Sequence, residues 1–397
     1  MQNFADEPRR SAGACLVAAK VIVVGGGIGG LTAALALWRA GVEAAVFERA
    51  PELREIGAGI SLWANATRAL KGLGVYEEVR DAGAADIGGE FRSWRGEMFL
   101  RIPAEDLRER FGEANLAVHR ADLQGALFSS LPPGTVRLGA EFTGFEQDDE
   151  GVLARFADGR EERGDLLVGA DGLHSSVRAQ LFGEGEPRYA GYTAWRGVAG
   201  AGSLLPEGIG INLWGRGSEF GLVGIGRGRF YWFATKNAPE GEAESAAGRK
   251  REVLDLLSGA YQPARAAVEA TPEPEILRND IYDRKPASRW GVGRVTLLGD
   301  AAHPMTPNLG QGACQAVEDA VVLARCLGGG EAKSASLRLY EERRVRRTIR
   351  VVRRSRLAGR VTQLENPLLC RLRDALAKRT SARAQLRQYE EIVRYEP

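Results

Sequence analysis

The apolar and polar positions of the chain first form a short buried strand that leads directly into glycines. Residues 21–24, Val-Ile-Val-Val, precede Gly-Gly-Gly-Ile-Gly-Gly, and apolar side chains then recur at helical spacing over 31–38. Gly41 is placed to end this helix, and a second apolar run follows over 42–47. A strand, a tight turn, a helix and a second strand in this order predict an α/β unit with a parallel sheet.

The glycines of the first turn have the Gly-x-Gly-x-x-Gly spacing of a dinucleotide cradle, at Gly25, Gly27 and Gly30. Gly25 would allow the tight turn, Gly27 would let the backbone approach a pyrophosphate, and Gly30 would let the helix pack on its strand. Glu48 ends the second strand, where an acidic side chain accepts hydrogen bonds from an adenosine ribose. A bound dinucleotide is therefore predicted, with NAD or FAD favoured over NADP; glycines used only for packing are the alternative.

Later segments alternate between helical and strand patterns, and they bring strands into the chain soon after the first unit. In chain order the pattern predicts a helix over 64–73, a hairpin of 91–94 and 98–102, a helix within 116–131 with Asp122 as its cap, strands over 136–144 and 152–156, a buried strand and polar turn within 165–172, a strand-rich region over 189–235, a loop over 238–249 and helix over 250–270.

The strand-rich region is aromatic, which favours a separate antiparallel sheet that carries a substrate pocket. Alternation places Phe230 and Trp232 on one face of a strand and Tyr231 and Phe233 on the other. One of these faces is predicted to line the pocket. Arg196 is a candidate ligand for a substrate carboxylate or phenolate, and pairing with a surface acid is the open alternative.

A second glycine-rich signature occupies 295–320. A buried strand ends at Gly299-Asp300, two prolines follow, and a helix opens around Gly310 to Gly312. Asp300 is placed to bind the hydroxyls of a second sugar-like chain, such as the ribityl of FAD. The helix N-terminus would then face the flavin and stabilise its reduced, anionic ring by about 0.3 to 2 kcal/mol.

Composition places the chain among ordinary soluble proteins and excludes several functions. It has 397 residues, 44% hydrophobic and 27% charged, with a formal net charge of +2 that implies no field for nucleic acid. No apolar run is long enough for a stable membrane anchor. The four cysteines contain no Cys-x-x-Cys pair, so we expect no metal, no disulfide framework and a cytoplasmic location. Residues 1–19 are predicted to be a loose tail; a faint twin-arginine pattern at 9–10 is interpreted as spurious.

The segment 338–360 contains ten arginines and two glutamates. Val345, Ile349 and Val352 form one apolar helical stripe, so the arginines are interpreted as a solvated face, with a nucleic-acid or membrane patch as the alternative. The three histidines are scattered through the cofactor motifs, and His303 is interpreted as structural.

Three ordered motifs together resemble the class A flavoprotein aromatic monooxygenases, the family of 4-hydroxybenzoate, salicylate and urate hydroxylases and zeaxanthin epoxidase. They are the glycine cradle with Glu48, the Gly-Ala-Asp-Gly turn at 169–172 and the Gly-Asp turn at 299–300. The resemblance covers most of 20–365. It implies an α/β fold: a Rossmann-like FAD-binding domain of the glutathione-reductase type, an inserted antiparallel β-sheet substrate domain, and C-terminal helices.

The resemblance also implies domain boundaries. The FAD-binding domain would comprise 20–78, 103–185 and 280–335, the substrate domain 79–102 and 186–279, and the C-terminal helical segment 336–397.

By the same resemblance, Arg120 reaches FAD, Asp300 binds its ribityl chain, and Asp171-Gly172 contacts a region shared by FAD and a transiently bound nicotinamide. The backbone near Phe142 contacts adenine, and 54–59 corresponds to a mobile loop beside the isoalloxazine. The full set of expected cofactor contacts is Gly25, Gly27, Ile28, Gly29, Gly30, Glu48, Arg49, Gly59, Arg120, Phe142, Asp171, Asp300, Pro307, Gly310, Gln311 and Gly312.

The resemblance implies that NADH or NADPH reduces FAD, that O2 adds at flavin C4a, and that the hydroperoxide hydroxylates a small aromatic or heteroaromatic substrate. Epoxidation of an isoprenoid or other apolar alkene is the first alternative, and a non-catalytic dinucleotide-binding regulator is the second. The Trp-x-Trp-x-x-Pro pattern of flavin halogenases is absent from the sequence. We expect a monomer or homodimer that binds no nucleic acid.

Tyr231 resembles the tyrosine of urate hydroxylases and is, with Arg196, the candidate catalytic residue. The substrate arginine and the acidic residue of those enzymes correspond to Glu219 and Asn308 here. Urate is therefore not the expected substrate.

Overall fold

The computed structural model describes residues 19–53, 58–200, 202–329 and 333–397. The predicted loose tail, except for residue 19, and most of the predicted loop at 54–59 lie outside these ranges. The strands are β1 Lys20–Val24, β2 Glu43–Phe47, β3 Gly59–Leu62, β4 Ala84–Ser93, β5 Met98–Ile102, β6 Asn115–His119, β7 Val136–Arg137, β8 Phe142–Gln147, β9 Val152–Phe156, β10 Glu161–Gly164, β11 Leu166–Gly169, β12 Arg188–Gly200, β13 Ile209–Trp214, β14 Ser218–Gly224, β15 Arg229–Asn237, β16 Leu277–Asp283 and β17 Val295–Leu297. The helices are α1 Ile28–Arg39, α2 Ala64–Gly72, α3 Tyr76–Ala82, α4 Ala104–Phe111, α5 Arg120–Ser129, α6 Ser176–Phe182, α7 Arg249–Leu256, α8 Gln262–Glu269, α9 Gly312–Leu327, α10 Lys333–Thr362, α11 Pro367–Arg379 and α12 Ala382–Val393.

A parallel sheet with the strand order β17-β11-β1-β2-β7 forms the first layer. Its central strand β1 is buried on both faces, which explains its uninterrupted apolar run. Because β17, β11 and β1 are parallel neighbours, their carboxyl ends meet at one edge of the sheet. The turns after these strands carry Gly25, Asp171 and Asp300, so the fold brings the three sequence motifs together.

A second sheet has the order β16-β12-β15-β14-β13-β4-β6-β3 and is antiparallel except where β13 pairs with β4. One face packs Trp195, Phe220 and Trp232 with side chains of α7 and α8 in a buried cluster. The other face carries Tyr231, which lies against Gly59 of β3. The fold is therefore α/β with a largely antiparallel second sheet and C-terminal helices, as predicted; the domain boundaries stay a prediction.

Several local predictions are wrong in detail. The side chain of His119, and not that of Asp122, caps α5 by accepting from the backbone N–H of Ala121 at 3.3 Å. Asp122 forms ion pairs with Arg227 and Arg229 of the second sheet instead. The strand predicted over 136–144 is broken into β7 and β8, and the helix over 250–270 is the pair α7 and α8.

The helix α10 corrects the interpretation of the arginine-rich segment. Val345 and Val352 are buried as predicted, but Arg344 is also completely buried. The solvated-face interpretation is therefore wrong for Arg344, because acidic side chains of α9 lie against it. Among the helices of the described residues, none combines the length and apolar character needed to cross a bilayer.

Candidate cofactor and substrate site

The first glycine turn is shaped by close packing at two positions and by open space at a third. Gly25 has a φ of 108°, and a Cβ there would lie 2.5 Å from the carbonyl oxygen of Ala170. A Cβ at Gly30 would lie 1.9 Å from the carbonyl oxygen of Gly25. At Gly27 no other atom of the described residues lies within 4 Å of an added Cβ. The turn is therefore closed towards the protein and open where a pyrophosphate would approach.

Glu48 is fixed beside this turn. Its carboxylate accepts from the backbone N–H groups of Gly26 at 2.6 Å and Ala50 at 2.9 Å. The amide of Gln124 donates to the carbonyl oxygen of Gly26 at 2.8 Å, which ties α5 to the same turn. Arg49, the next residue in the chain, is exposed.

The second turn follows β11 and contains Asp171. Its Oδ2 accepts from the backbone N–H of Val177 at 3.2 Å, whereas its Oδ1 is buried with no hydrogen-bond partner among the described residues. Burial raises the pKa of the Asp171 carboxyl. Arg178 donates to the carbonyl oxygen of Ala301 at 3.1 Å and thereby joins this turn to the third. An unpartnered buried acceptor in a joined pair of turns is a candidate contact for a ligand.

Arg120 and Asp300 line a cleft. Both are accessible to solvent, yet protein surrounds them closely. Burial lowers the pKa of the Arg120 guanidinium against the opposing effect of Asp300, and burial raises the pKa of the Asp300 carboxyl against His303 and Arg120. A Cβ at Gly312 would lie 3.9 Å from Oδ1 of Asp300, which places this carboxylate at the N-terminus of α9. Accessible charges with strong desolvation are what the walls of a ligand cleft show.

The loop before α9 presents backbone, not the Gln311 side chain, to this cleft. Gly310 has a φ of 60°, and a Cβ there would lie 3.3 Å from Nε1 of Trp63. The side-chain oxygen of Gln311 is held inside the protein, where it accepts from Asn65 at 3.1 Å and Gln315 at 3.0 Å. Any contact of Gln311 with a cofactor would therefore be through its backbone.

A buried ion cluster beneath the third turn was missed by sequence reasoning. Asp319 of α9 accepts from the backbone N–H of Gly299 at 3.0 Å, contacts Nε2 of His303 at 2.6 Å, and accepts from Nε of Arg344 at 2.6 Å. Glu318 binds Arg344 and, at 2.7 Å, Arg347. The sequence signal was present in the adjacent acids of an otherwise apolar helix, but nothing local identifies a partner on α10. His303 belongs to this cluster through Asp319, and its structural role stays a prediction.

The second sheet closes the cleft from the opposite side. The ring of Tyr231 lies so close to Gly59 that an added Cβ would be 2.5 Å from its Cγ. Burial raises the pKa of Tyr231, and the nearby charge of Arg196 acts in the opposite direction. Arg196 donates to Oδ1 of Asn279 at 2.5 Å, so its partner is an amide and not the surface acid considered above. The charge of Arg196 also lowers the pKa of Arg120, so the two guanidinium groups lie near each other.

Glu219 adds a buried acid to the same sheet face. Its Oε1 accepts from the side-chain amide of Asn212 at 2.8 Å, and burial raises its pKa. Asn308 also lowers this pKa through a hydrogen bond, and it accepts from the hydroxyl of Tyr192 at 2.9 Å. Glu219 and Asn308 are thus neighbours in the fold. Phe142 begins β8 and packs against Phe156.

Comparisons with known proteins agree with this geometry. The chain matches the FAD binding domain family over residues 18–355. It is 46% identical over 362 residues to an aurachin C monooxygenase/isomerase of Stigmatella aurantiaca, covering 91% of this chain and 94% of that protein. It is 36% identical over 343 residues to an FAD-dependent urate hydroxylase of Klebsiella pneumoniae, covering 85% and 88%.

Among solved structures, Klebsiella pneumoniae HpxO complexed with FAD and uric acid superposes with a TM-score of 0.88 at 32% identity, covering 93% of this chain and 95% of that one. The match over most of the chain establishes that this protein belongs to the FAD binding domain family.

Proposed function

We propose that this protein is an FAD-dependent monooxygenase that uses NADH or NADPH and O2 to hydroxylate a small aromatic or heteroaromatic substrate. One observation carries the proposal. The three turns after β1, β11 and β17 meet at one sheet edge, and Arg196 of the second sheet lies near enough to Arg120 for its charge to lower the pKa of that residue. FAD bound there supplies hydride acceptance and the activation of O2.

The residues that line the cleft fit this cofactor. The open face at Gly27 leaves room for the pyrophosphate, and Glu48 is held where an adenosine ribose would bind. Arg120 and Asp300 provide charge and hydrogen-bonding groups, and Asp171 of the second turn offers an oxygen that has no hydrogen-bond partner among the described residues. The N-terminus of α9 stabilises negative charge placed against it.

The second sheet binds and orients the substrate. The Tyr231 phenol, whose ordinary pKa of about 10 is raised further by burial, donates a hydrogen bond to the substrate. Arg196 attracts a carboxylate or phenolate. The aromatic wall that Tyr231 and Phe233 form, with ring centroids 6.4 Å apart, keeps water from the reacting carbon.

Epoxidation of an isoprenoid is the weaker alternative. Arg196 and Tyr231 are polar groups of the second sheet, and a hydrocarbon alkene would form no hydrogen bond with either of them. We also infer a reducing cytoplasmic location, because the buried Cys314 and Cys370 form no disulfide among the described residues. A monomer or homodimer stays the expected assembly.

The test is a screen of phenols, salicylates, purines and quinolones for stimulation of NAD(P)H oxidation by the yellow, FAD-loaded protein. A true substrate gives a product that contains one atom of isotopically labelled O2. Arg196→Met should raise the KM for an anionic substrate, whereas Arg163→Met, an exposed arginine of β10, should not. Protein that remains colourless after reconstitution with FAD, or stimulated oxidation with no labelled product, contradicts the proposal.

A further inference from the structure

An apolar pocket lies beside the proposed substrate site. It has a volume of about 330 Å³, at the lower end of the range for small-molecule pockets. Its inner wall is formed by Phe91, Leu100 and Trp214 of the second sheet, and its outer wall by Leu372 and Leu376 of α11. No role derived above uses this pocket.

The inner wall belongs to the same sheet face as Tyr231. Phe91 of β4 is directly opposite Asn212 of β13, and Asn212 is opposite Gly221 of β14, which in turn is opposite Phe233 of β15. Residues that are directly opposite in neighbouring strands point to the same face, as do residues two apart in one strand. The pocket is therefore a sideways continuation of the substrate face.

The pocket is also continuous with the loop that carries the third cofactor turn. Phe91 and Leu100 pack in one apolar cluster with Trp63, Met305 and Leu309. Met305 and Leu309 belong to the loop that leads into α9, next to Gly310. Side chains of this loop and two lining residues of the pocket thus pack against the same apolar cluster.

The mouth of the pocket is apolar and exposed. Leu368, Leu369, Leu372 and Leu376 of α11 are 71%, 48%, 56% and 56% exposed. The helix itself is held firmly, because the buried Arg373 donates to the carbonyl oxygens of Thr362 at 3.1 Å and Gly215 at 3.0 Å. A rigid helix that leaves a row of leucines in water beside an apolar pocket is typical of a binding groove.

We propose that this pocket binds an apolar tail, such as an alkyl or isoprenoid chain, carried by the aromatic substrate. The inference rests on the proposed function and specifies its substrate class: a polar aromatic ring with a hydrocarbon substituent. The ring lies at Tyr231 and Arg196, and the tail passes along the sheet face to Trp214 and leaves between the leucines of α11. Continuity with the substrate face favours this occupant over an unrelated ligand.

Binding is measured directly with 4-alkylphenols of increasing chain length, from methyl to nonyl, and with a chain that ends in bromine. Bromine quenches tryptophan fluorescence on contact, so Trp214 reports a tail in the pocket, and Trp214→Phe removes that component. The affinity for the alkylphenol should rise about fourfold for each methylene that enters the pocket, because this is the factor that corresponds to the free energy of transferring one methylene out of water. Leu100→Trp, which fills the pocket, should abolish this dependence and leave the affinity for 4-methylphenol unchanged.

Leu376→Glu, a second variant that alters the pocket lining, tests the same site in case Leu100→Trp does not fold correctly. Thermal unfolding of both variants shows whether each one is folded. The matched control is Leu357→Arg, because Leu357 is 60% exposed but lies outside the pocket lining. Affinity that does not depend on chain length, or a dependence that survives both blocking variants, overturns the proposal.

The remaining outcomes identify other occupants. If Leu372→Arg converts a dimer to a monomer with the chain-length dependence unchanged, a second copy covers the leucines and the tail proposal is wrong. If phosphatidylcholine vesicles bind the protein through α11 and the brominated chains do not quench Trp214 fluorescence, the leucines of α11 bind a lipid surface. The tail proposal is then also wrong. Because quenching needs no turnover, these results are independent of the oxidation assay: stimulated oxidation without quenching refutes only the tail site.

Discussion

Replacing Arg344 by methionine tests whether the buried ion cluster holds the third cofactor turn in place. Arg344 is completely buried and binds Glu318, Asp319 and the side chain of Gln315, the last at 2.9 Å. The other oxygen of Asp319 accepts from the backbone N–H of Gly299, one residue before Asp300. Removal of the guanidinium therefore leaves a buried carboxylate that is still needed by the turn.

The expected cost follows from the partners that remain. Removing one partner of a buried ion pair costs about 3 to 5 kcal/mol. Arg347 still binds Glu318 at 2.7 Å and His303 still contacts Asp319, so we expect the lower value, about 3 kcal/mol. For a chain of 397 residues this lowers Tm by about 4 °C. Weakening the charge-assisted bond to Gly299 should reduce FAD affinity about tenfold.

The same cluster has a pH dependence with a defined sign. Burial alone would raise the pKa of Asp319, but His303 and Arg344 outweigh it and hold the pKa below its usual value. A lowered pKa contributes stability that is present above the ordinary Asp value of about 3.9 and is lost as the pH falls. The difference in stability between wild type and Arg344→Met should therefore shrink below about pH 4.

Thermal unfolding by circular dichroism and FAD binding by flavin fluorescence give the two readouts. Arg343→Met is the matched control, because Arg343 is the neighbouring residue in α10 and is exposed. If Arg344→Met matches this control in Tm, the cluster does not stabilise the fold. If Tm falls while the FAD dissociation constant stays the same, the cluster stabilises the protein without positioning the cofactor turn, and the reasoning is refuted.

Three further predictions concern single residues. Gly30→Ala should prevent folding or FAD binding, because the added Cβ would lie 1.9 Å from a backbone oxygen. Gly27→Ala should keep the wild-type Tm and bind FAD more weakly. A normal FAD affinity of Gly27→Ala would show that no pyrophosphate lies beside this residue. Burial raises the pKa of Glu219, so the free energy of unfolding of the wild type falls as the pH rises above the ordinary glutamate value of about 4.3. Glu219→Gln should therefore be more stable than the wild type at pH 8, by about 1.4 kcal/mol for each unit by which the pKa is raised. Chemical denaturation at pH 4 and pH 8 measures this difference, and an equal effect of the substitution at both pH values contradicts it. Burial raises the pKa of the Cys314 thiol to about 12, so thiol reagents should label it only after unfolding, and mass spectrometry that finds it labelled in the native protein would disprove this.

The cofactor turns could be predicted because their information is local. Gly25, Gly27 and Gly30 are fixed by spacing alone, and each one has the surroundings that its spacing implies. Helix capping was harder, since both His119 and Asp122 are near the start of α5 and short-range rules favour the aspartate. The aspartate instead pairs with arginines more than 100 positions away in sequence, which no local pattern reveals.

The buried ion cluster and the apolar pocket could not be predicted for the same reason. Arg344 is one of ten arginines in a short segment, and only packing of α10 on α9 decides which of them is buried. The leucines of α11 likewise have the spacing of an ordinary core stripe, and only the fold shows that no further element of the described residues covers them. Side-chain pairing between distant helices is a property of the tertiary structure.

The charges along the substrate face restrict what can bind there. Arg196 lies on β12 and Glu219 on β14, and the apolar wall at Trp214 lies on the next strand, β13. Burial raises the pKa of Glu219, so the middle of this face disfavours a second anion, while Arg196 favours one at its own end. A ligand with one acidic edge and an apolar opposite end fits this face, because the acidic edge pairs with Arg196 and the apolar end packs against Trp214. A ligand that is anionic at both ends would place its second carboxylate beside the buried Glu219, where loss of hydration makes a further negative charge costly.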